Sequence, residues 1–254
     1  MSIHRSVRHA MLPRVVNTDP PLDYASFDAL TFDCYGTLID WETGLVDAFR
    51  PILHAHAIDS TADDLLARYA RHEAVAEAEP YRSYRDVLAS GLRGVASEFG
   101  FEPSTAEVDA FGSSVIDWPA FPDSTVALTR LKERFRLGVI TNCDDDLFAG
   151  SNKRLGVEFD VIVTAQQVRA YKPAEAGFHV ACERLGLPRE RILHVAQSLY
   201  HDHATAQRLG LSTVWIDRRQ GRSGAGATPH AETTPDATFP DMASFAAAAL
   251  ASPP

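Results

Sequence analysis

Short apolar runs of four to six residues, each ending in a polar turn, alternate along the chain with longer helix-forming segments. That alternation is the sequence sign of a parallel sheet with helices packed on its faces. The runs that read as buried strands lie at residues 29–32, 137–141, 160–164, 191–196 and 212–216. An open parallel sheet binds its ligands outside the carboxyl ends of the strands, so the chemistry is expected where these runs turn into helices.

Between Trp41 and Trp118 the strand signals stop, and residues 61–78 and 84–99 are rich in Ala, Leu, Arg and Glu. The interval reads as a helical insertion of about 75 residues, the size of a small domain. Pro119 and Pro122 mark the return to the sheet, residues 220–235 read as an exposed Gly/Ser/Thr/Pro loop, and a last helix is expected near 241–251. The expected architecture is α/β: a doubly wound, Rossmann-like parallel core from residues 23–40 and 119–254. A helical cap domain, 41–118, is inserted after the first strand, and a disordered tail covers 1–22. Arg5, Arg8 and Arg14 precede the first acid, Asp19, so the tail also reads as a targeting segment, an alternative left open.

With 254 residues, 45% of them hydrophobic, the chain is long enough for one sizeable core, yet it holds no run of about 18 apolar residues to span a bilayer. Lys and Arg number 24 against 34 Asp and Glu, a formal charge of −10, which argues against nucleic acid or an anionic membrane as partner. A small anionic substrate still fits if a local basic pocket receives it. Cys34, Cys143 and Cys182 form no CxxC pair, so no disulfide framework or zinc site is expected, and a reducing cytoplasm suits the chain.

Four junctions carry polar residues. The first reads Leu30-Thr31-Phe32-Asp33-Cys34-Tyr35-Gly36-Thr37-Leu38, and an Asp there, taken alone, is as easily a helix cap or turn residue as a reactive group. The second ends in Thr141-Asn142, the third is Ala170-Tyr171-Lys172-Pro173, and the fourth runs from His194 through Gln197-Ser198-Leu199-Tyr200 to His201-Asp202-His203. A carboxylate is a weak nucleophile in water but an effective one when held in line and partly desolvated. Gly36 lets the backbone approach a ligand, and Thr37 can orient Asp33 by a hydrogen bond. His194, His201 and His203 invite a transition-metal reading, but His194 lies inside a strand and the other two share no helical face.

In this order, from Phe27 to the final helix, the four motifs resemble those of the haloacid dehalogenase superfamily. The resemblance implies that Asp33 is a covalent nucleophile, with Thr37 beside it. It implies that Lys172 screens the approach of an anionic substrate, and that Asp202, alone or with Lys172, activates water. Two positions after the nucleophile, phosphatases of the superfamily carry a second Asp; this chain carries Tyr35, as does the aromatic-bearing type II L-2-haloacid dehalogenase branch. A halide departs without a proton, so a general acid is dispensable there. Tyr35, Thr141, Asn142, Gln197 and Ser198 are then expected to bind substrate.

In the insertion, the stretch from Arg68 to Tyr84 resembles the cap segment in which haloacid dehalogenases carry an arginine that receives the leaving halide; the spacing to Glu73 and Tyr84 matches it to Arg68, with Arg71 a rival. Phe178, where that branch has a tyrosine, and Gln197-Ser198-Leu199, where it has a Ser/Asn-containing turn, depart from the pattern. With Tyr35 and Gln197 replacing acids, no metal is expected, Mg2+ being the alternative. The implied activity is a metal-independent hydrolase that converts a short 2-haloalkanoic acid, a small anionic carboxylate, into halide and a 2-hydroxyacid through an aspartyl ester. The alternatives are a Mg-dependent phosphatase, or the same attack with a non-halide leaving group. A homodimer is in keeping with the resemblance.

Overall fold

The computed structural model of the protein describes residues 22–78, 80–219 and 231–251. Residues 1–21 of the expected tail and 220–230 of the expected loop lie outside that range. Six parallel strands form one sheet: β1 (Ala29–Phe32), β2 (Arg136–Thr141), β3 (Val161–Thr164), β4 (Ile192–Ala196), β5 (Ser212–Ile216) and β6 (Ala237–Phe239), in the order β3-β2-β1-β4-β5-β6. The first five are the apolar runs of the sequence. β6 has only three partly exposed residues and sits on the sheet edge beside β5, which is why no apolar run announced it.

β1 lies between β2 and β4, with Phe32 in register with Val139 on one side and Val195 on the other. The chain leaves β1 to build one half of the sheet and returns to build the other, so the strand order reverses at β1. In open α/β sheets ligands bind at this switch point.

Between β1 and the core helix α5 (Ser124–Lys132) stand α1 (Trp41–Ala55), α2 (Ala62–Ala78), α3 (Tyr84–Phe99) and α4 (Thr105–Ser113), the helical insertion that the sequence predicts. The starts of α1, α3 and α4 are chemically specified. The Asp40 carboxylate accepts from the Thr43 amide at α1, Ser83 Oγ accepts from the Asp86 amide at α3, and Ser104 with Glu107 forms a capping box at α4. The remaining helices are α6 (Asp145–Leu155), α7 (Ala165–Val168), α8 (Ala176–Leu185), α9 (Ala204–Arg208) and α10 (Met242–Ala251). None of the described helices is long and apolar enough to cross a membrane.

One apolar core runs from the sheet into the insertion, joining Phe32, Leu38 and Val139 to Phe49, Tyr69, Leu88 and Phe111. A second, around Phe178, Val163 and Ile192, fills the space between α8 and the sheet. Each fully buried Leu or Phe contributes roughly 1.5–3 kcal/mol. The first core therefore fixes α1–α4 over the strand ends.

Candidate active site

Asp33 follows β1 directly and is buried, with its amide donating to the Val195 carbonyl at 3.1 Å. Its two oxygens are held from opposite sides: Lys172 Nζ donates to Oδ1 and Thr37 Oγ1 to Oδ2, both at 2.7 Å. Thr37 reaches back because the Thr37, Leu38 and Ile39 amides all donate to the Cys34 carbonyl, closing a tight loop in which Gly36 has φ +94°. Only glycine adopts that conformation freely, and a Cβ on Gly36 would also press to 3.1 Å from the Trp41 indole nitrogen. Thr37 Oγ1 in turn accepts from the Gln197 amide at 2.9 Å, tying the first junction to the fourth.

Lys172 is buried with all three ammonium hydrogens directed: to Asp33 Oδ1 and Asp202 Oδ1, each at 2.7 Å, and to the Ile140 carbonyl at 3.0 Å. Asn142 fixes the lysine backbone, its Oδ1 accepting from the Lys172 amide at 2.7 Å. Burial works against the lysine charge, but Asp202 and Asp33 outweigh it and raise its pKa. Burial pushes Asp33 up, with Asp202 adding to the effect and Lys172 and Thr37 opposing it. The result is a desolvated carboxylate held in a single orientation.

Asp202 is fully buried. Burial acts to raise its pKa, but Lys172 and His194 hold it well below the usual carboxylate range. An ionised carboxylate only accepts, so His194 Nε2 donates to Asp202 Oδ1 at 3.1 Å while His194 Nδ1 accepts from Thr31 Oγ1 at 2.9 Å. Asp202 Oδ2 has no hydrogen-bond partner among the described residues. The sequence offered His194 only as a metal ligand; the structure makes it the support of Asp202. Phe178 packs edge-on against that imidazole, with centroids 5.1 Å apart, and is fully buried outside the cavity.

Asp33, Lys172 and Asp202 open on a cavity of about 70 Å³ that is also lined by Tyr35, Asn142, Gln197, Ser198 and His201. The expected substrate-binding residues divide here. Tyr35 faces the cavity, but its hydroxyl is engaged by Ser151 Oγ at 3.0 Å and Cys143 Sγ at 3.3 Å, and burial raises its pKa well above the usual value. Ser198 lines the wall while its Oγ accepts from the His201 amide at the head of a wide turn, Leu199–His203. Thr141 lies outside this cavity, lining a smaller one of about 10 Å³, with its hydroxyl buried and unpartnered among the described residues.

Arg68 is not brought to the cavity. Its guanidinium pairs with Asp64 at 2.8 Å and with Glu98, and lies 4.8 Å from the Phe99 ring centroid. Arg71 is exposed and pairs with the same Glu98 at 3.2 Å. The physical reason is local: Asp64 sits one turn before Arg68 on α2, and Glu98 on α3 collects both arginines together with His72.

In their place the insertion supplies Trp41, Glu73, Glu77 and Tyr84 to the cavity wall. Sequence reasoning used Glu73 and Tyr84 only as spacing markers. The signal that would have found the acids is their separation by one helical turn in an otherwise alanine-rich helix, in step with Tyr69. Lys172 is the only lysine or arginine lining the cavity among the described residues.

Hard cations want several free carboxylate oxygens; here the Lys172 ammonium bridges Asp33 and Asp202, Tyr35 and Gln197 stand beside them, and Glu73 and Glu77 line the same cavity. Among the described residues no group of three or more His, Cys, Asp or Glu is placed to hold a metal. His201 and His203 are both lowered to about 4, chiefly by burial, and are neutral.

A family model described as haloacid dehalogenase-like hydrolase matches residues 27–210. The (S)-2-haloacid dehalogenase of Pseudomonas putida is 24% identical over 211 residues, covering 77% of this chain and 87% of its own. The 5-amino-6-(5-phospho-D-ribitylamino)uracil phosphatase YigB of Escherichia coli (strain K12) is 29% identical over 211 residues, covering 76% and 84%. Among solved structures, the L-2-haloacid dehalogenase of Xanthobacter autotrophicus superposes with a TM-score of 0.74 at 17% identity, covering 87% of this chain and 97% of that one.

Proposed function

The chain belongs to the haloacid dehalogenase-like hydrolases, and on that premise we propose that Asp33 attacks a carbon atom of a small substrate, expels a leaving group, and forms an aspartyl ester that water hydrolyses. The observation that carries this reading is the grip on Asp33: Lys172 and Thr37 hold one oxygen each at 2.7 Å, so the carboxylate meets its target without reorienting. Holding reactants in this way removes much of the entropic part of a barrier.

The absence of an acid two positions after Asp33 favours a halide leaving group, and the name of the P. putida relative favours a short 2-haloalkanoic acid. Its carboxylate would lie against the neutral polar groups of Asn142, Gln197 and Ser198. In the second step Asp202 Oδ2, the carboxylate oxygen without a protein partner, orients the water that attacks the ester. The net reaction is R–X + H2O giving R–OH + HX, with no metal in any step. In this reading the insertion acts as a cap that excludes bulk water and strengthens the electrostatics beneath it.

The rival reading is a magnesium-dependent phosphatase, favoured by the 29% identity to YigB. Purified protein in EDTA is therefore given racemic 2-chloropropionate while halide is followed, alongside a panel of phosphate monoesters with magnesium. Metal-free halide release that disappears in Asp33→Asn is the expected result. Magnesium-dependent phosphate release with no halide would replace this reading by the rival.

A further inference from the structure

Thr37 holds one oxygen of Asp33, and the support of Thr37 itself comes from the far half of the sheet. The neighbouring Leu38 carbonyl accepts from the Phe121 amide at 3.0 Å and the Ser124 hydroxyl at 2.8 Å, both in the segment that returns from the insertion. The Thr37 carbonyl has no main-chain donor among the described residues. It accepts instead from two N–H groups of a single side chain, Arg218 Nε at 3.1 Å and Arg218 Nη2 at 2.8 Å. Arg218 lies just past the end of β5, which β4 separates from β1.

This arginine is built into the fold on every edge. Its side chain is only 9% exposed, and its guanidinium lies 4.0 Å from the Phe121 ring centroid. Nη1 donates to both oxygens of Asp123, at 2.9 and 3.0 Å. Asp123 Oδ2 also accepts from the Met242 and Ala243 amides at the start of α10, at 2.7 and 3.2 Å. A buried cation needs a counter-charge, and Asp123 supplies it. Charge pairing therefore accounts for Nη1 but not for the two N–H groups directed at Thr37.

Those two groups act on the residue that orients Asp33. Thr37 Oγ1 donates to Asp33 Oδ2 at 2.7 Å and accepts from the Gln197 amide at 2.9 Å. Turning the peptide between Thr37 and Leu38 would carry the Thr37 hydroxyl away from the carboxylate. A misplacement of about 1 Å near a reacting group can cost on the order of 100-fold in rate. A planar guanidinium with two parallel donors fixes the direction of a carbonyl, whereas an ammonium is a point charge that cannot grip both Thr37 and Asp123 in this geometry.

We propose that Arg218 is a positioning residue of the displacement step: by gripping the Thr37 carbonyl it fixes the Thr37 hydroxyl, and through that hydroxyl the Asp33 carboxylate. The proposal rests on the displacement reading of Asp33 and deepens it. Arg218 stands outside the cavity and takes part in no bond that forms or breaks.

Halide release from racemic 2-chloropropionate is followed in a single turnover, with enzyme in excess at several concentrations, so that the rate of attack is separated from substrate affinity. Arg218→Lys keeps the charge beside Asp123, Thr37→Val removes the hydroxyl at nearly constant shape, and the two are made singly and together. Arg218→Lys is expected to slow attack by roughly 10- to 100-fold while affinity changes less than about threefold. Added to Thr37→Val, it is expected to cost less than about twofold more, because the hydroxyl through which it acts is already gone. Arg218→Ala is expected to regain rate in dilute guanidinium chloride and not in sodium chloride at the same concentration. An unchanged attack rate in Arg218→Lys, losses that multiply in the double variant, or a folded Arg218→Ala that guanidinium does not speed overturns the inference and leaves the displacement reading standing. No halide from the wild type overturns the displacement reading, and the role of Arg218 with it.

Discussion

Three acceptors surround the three ammonium hydrogens of Lys172, and two of them belong to carboxylates that would otherwise face each other in a buried site. Replacing Lys172 by Met keeps the apolar stem but leaves Asp33 and Asp202 uncompensated. Urea denaturation at neutral pH should show a loss of about 3–5 kcal/mol, the usual cost of breaking a buried ion pair. An unchanged midpoint would mean that the lysine is not buried between the acids. Glu73 is a case of opposite sign. Its folded pKa of about 7 lies above the ordinary 4.5, so between those values the folded chain holds a proton that the unfolded chain has released. The stability lost as pH rises through this window should return in Glu73→Gln, whose Oε1 can still accept from both tyrosines. The expected difference in favour of the variant is near zero at acid pH and about 1–3 kcal/mol above neutrality, read from denaturation curves at the two pH values.

At the scale of the element, α2 meets α3 closely because α3 carries Gly91 where the Tyr69 ring passes; a Cβ there would stand 2.4 Å from Tyr69 Cε2. Gly91→Ala must push that ring aside, costing about 1–3 kcal/mol by overpacking, and it removes one of the two hydroxyls that hold Glu73. A thermal midpoint equal to that of the wild type would show that the contact is loose. The same two helices show what the sequence made legible. The spans 61–78 and 84–99 were readable because Ala, Leu and Glu fill them, and the strands because each is a continuous apolar run. Asp33, Lys172 and Asp202, which the sequence places at separate strand-to-helix junctions, meet in one cavity, and Thr37 bonds Asp33. What periodicity could not reveal was which polar side chains of α2 turn inward. Arg68 and Glu73 are five residues apart, and the choice between them is made by Asp64 and Glu98, which hold the arginine outside, and by Tyr69 and Tyr84, which hold the acid inside. Glu98 and Tyr84 lie on another helix, so that choice depends on tertiary contacts. β6 was missed for a related reason: three partly exposed residues gain their strand geometry only from β5.

For the molecule as a whole, the strand order places Asp33 at the end of β1, between β2 and β4, while the chain that leaves β1 carries α1–α4 over it. The switch point thus supplies Asp33, Lys172 and Asp202, and the insertion supplies the opposite wall with its two acids. One apolar core joins the two parts, and hydrogen bonds such as those of the Tyr84 and Arg85 amides to Asp144 and of the Tyr171 hydroxyl to the Arg82 carbonyl cross between them, so packing and polar contacts together hold the halves of the cavity in register. The central claim is that Asp33 becomes covalently bonded to the substrate carbon, and isotope placement tests it most directly. The enzyme is given an accepted haloacid in ¹⁸O-enriched water, first with enzyme in excess for a single turnover and then through many turnovers. The account predicts an unlabelled hydroxyl in the single-turnover product, its oxygen coming from Asp33, and heavy oxygen in the peptide containing Asp33 after many turnovers. Heavy oxygen in the first product, with none in that peptide, would show that water attacks the substrate directly and would contradict the covalent role of Asp33.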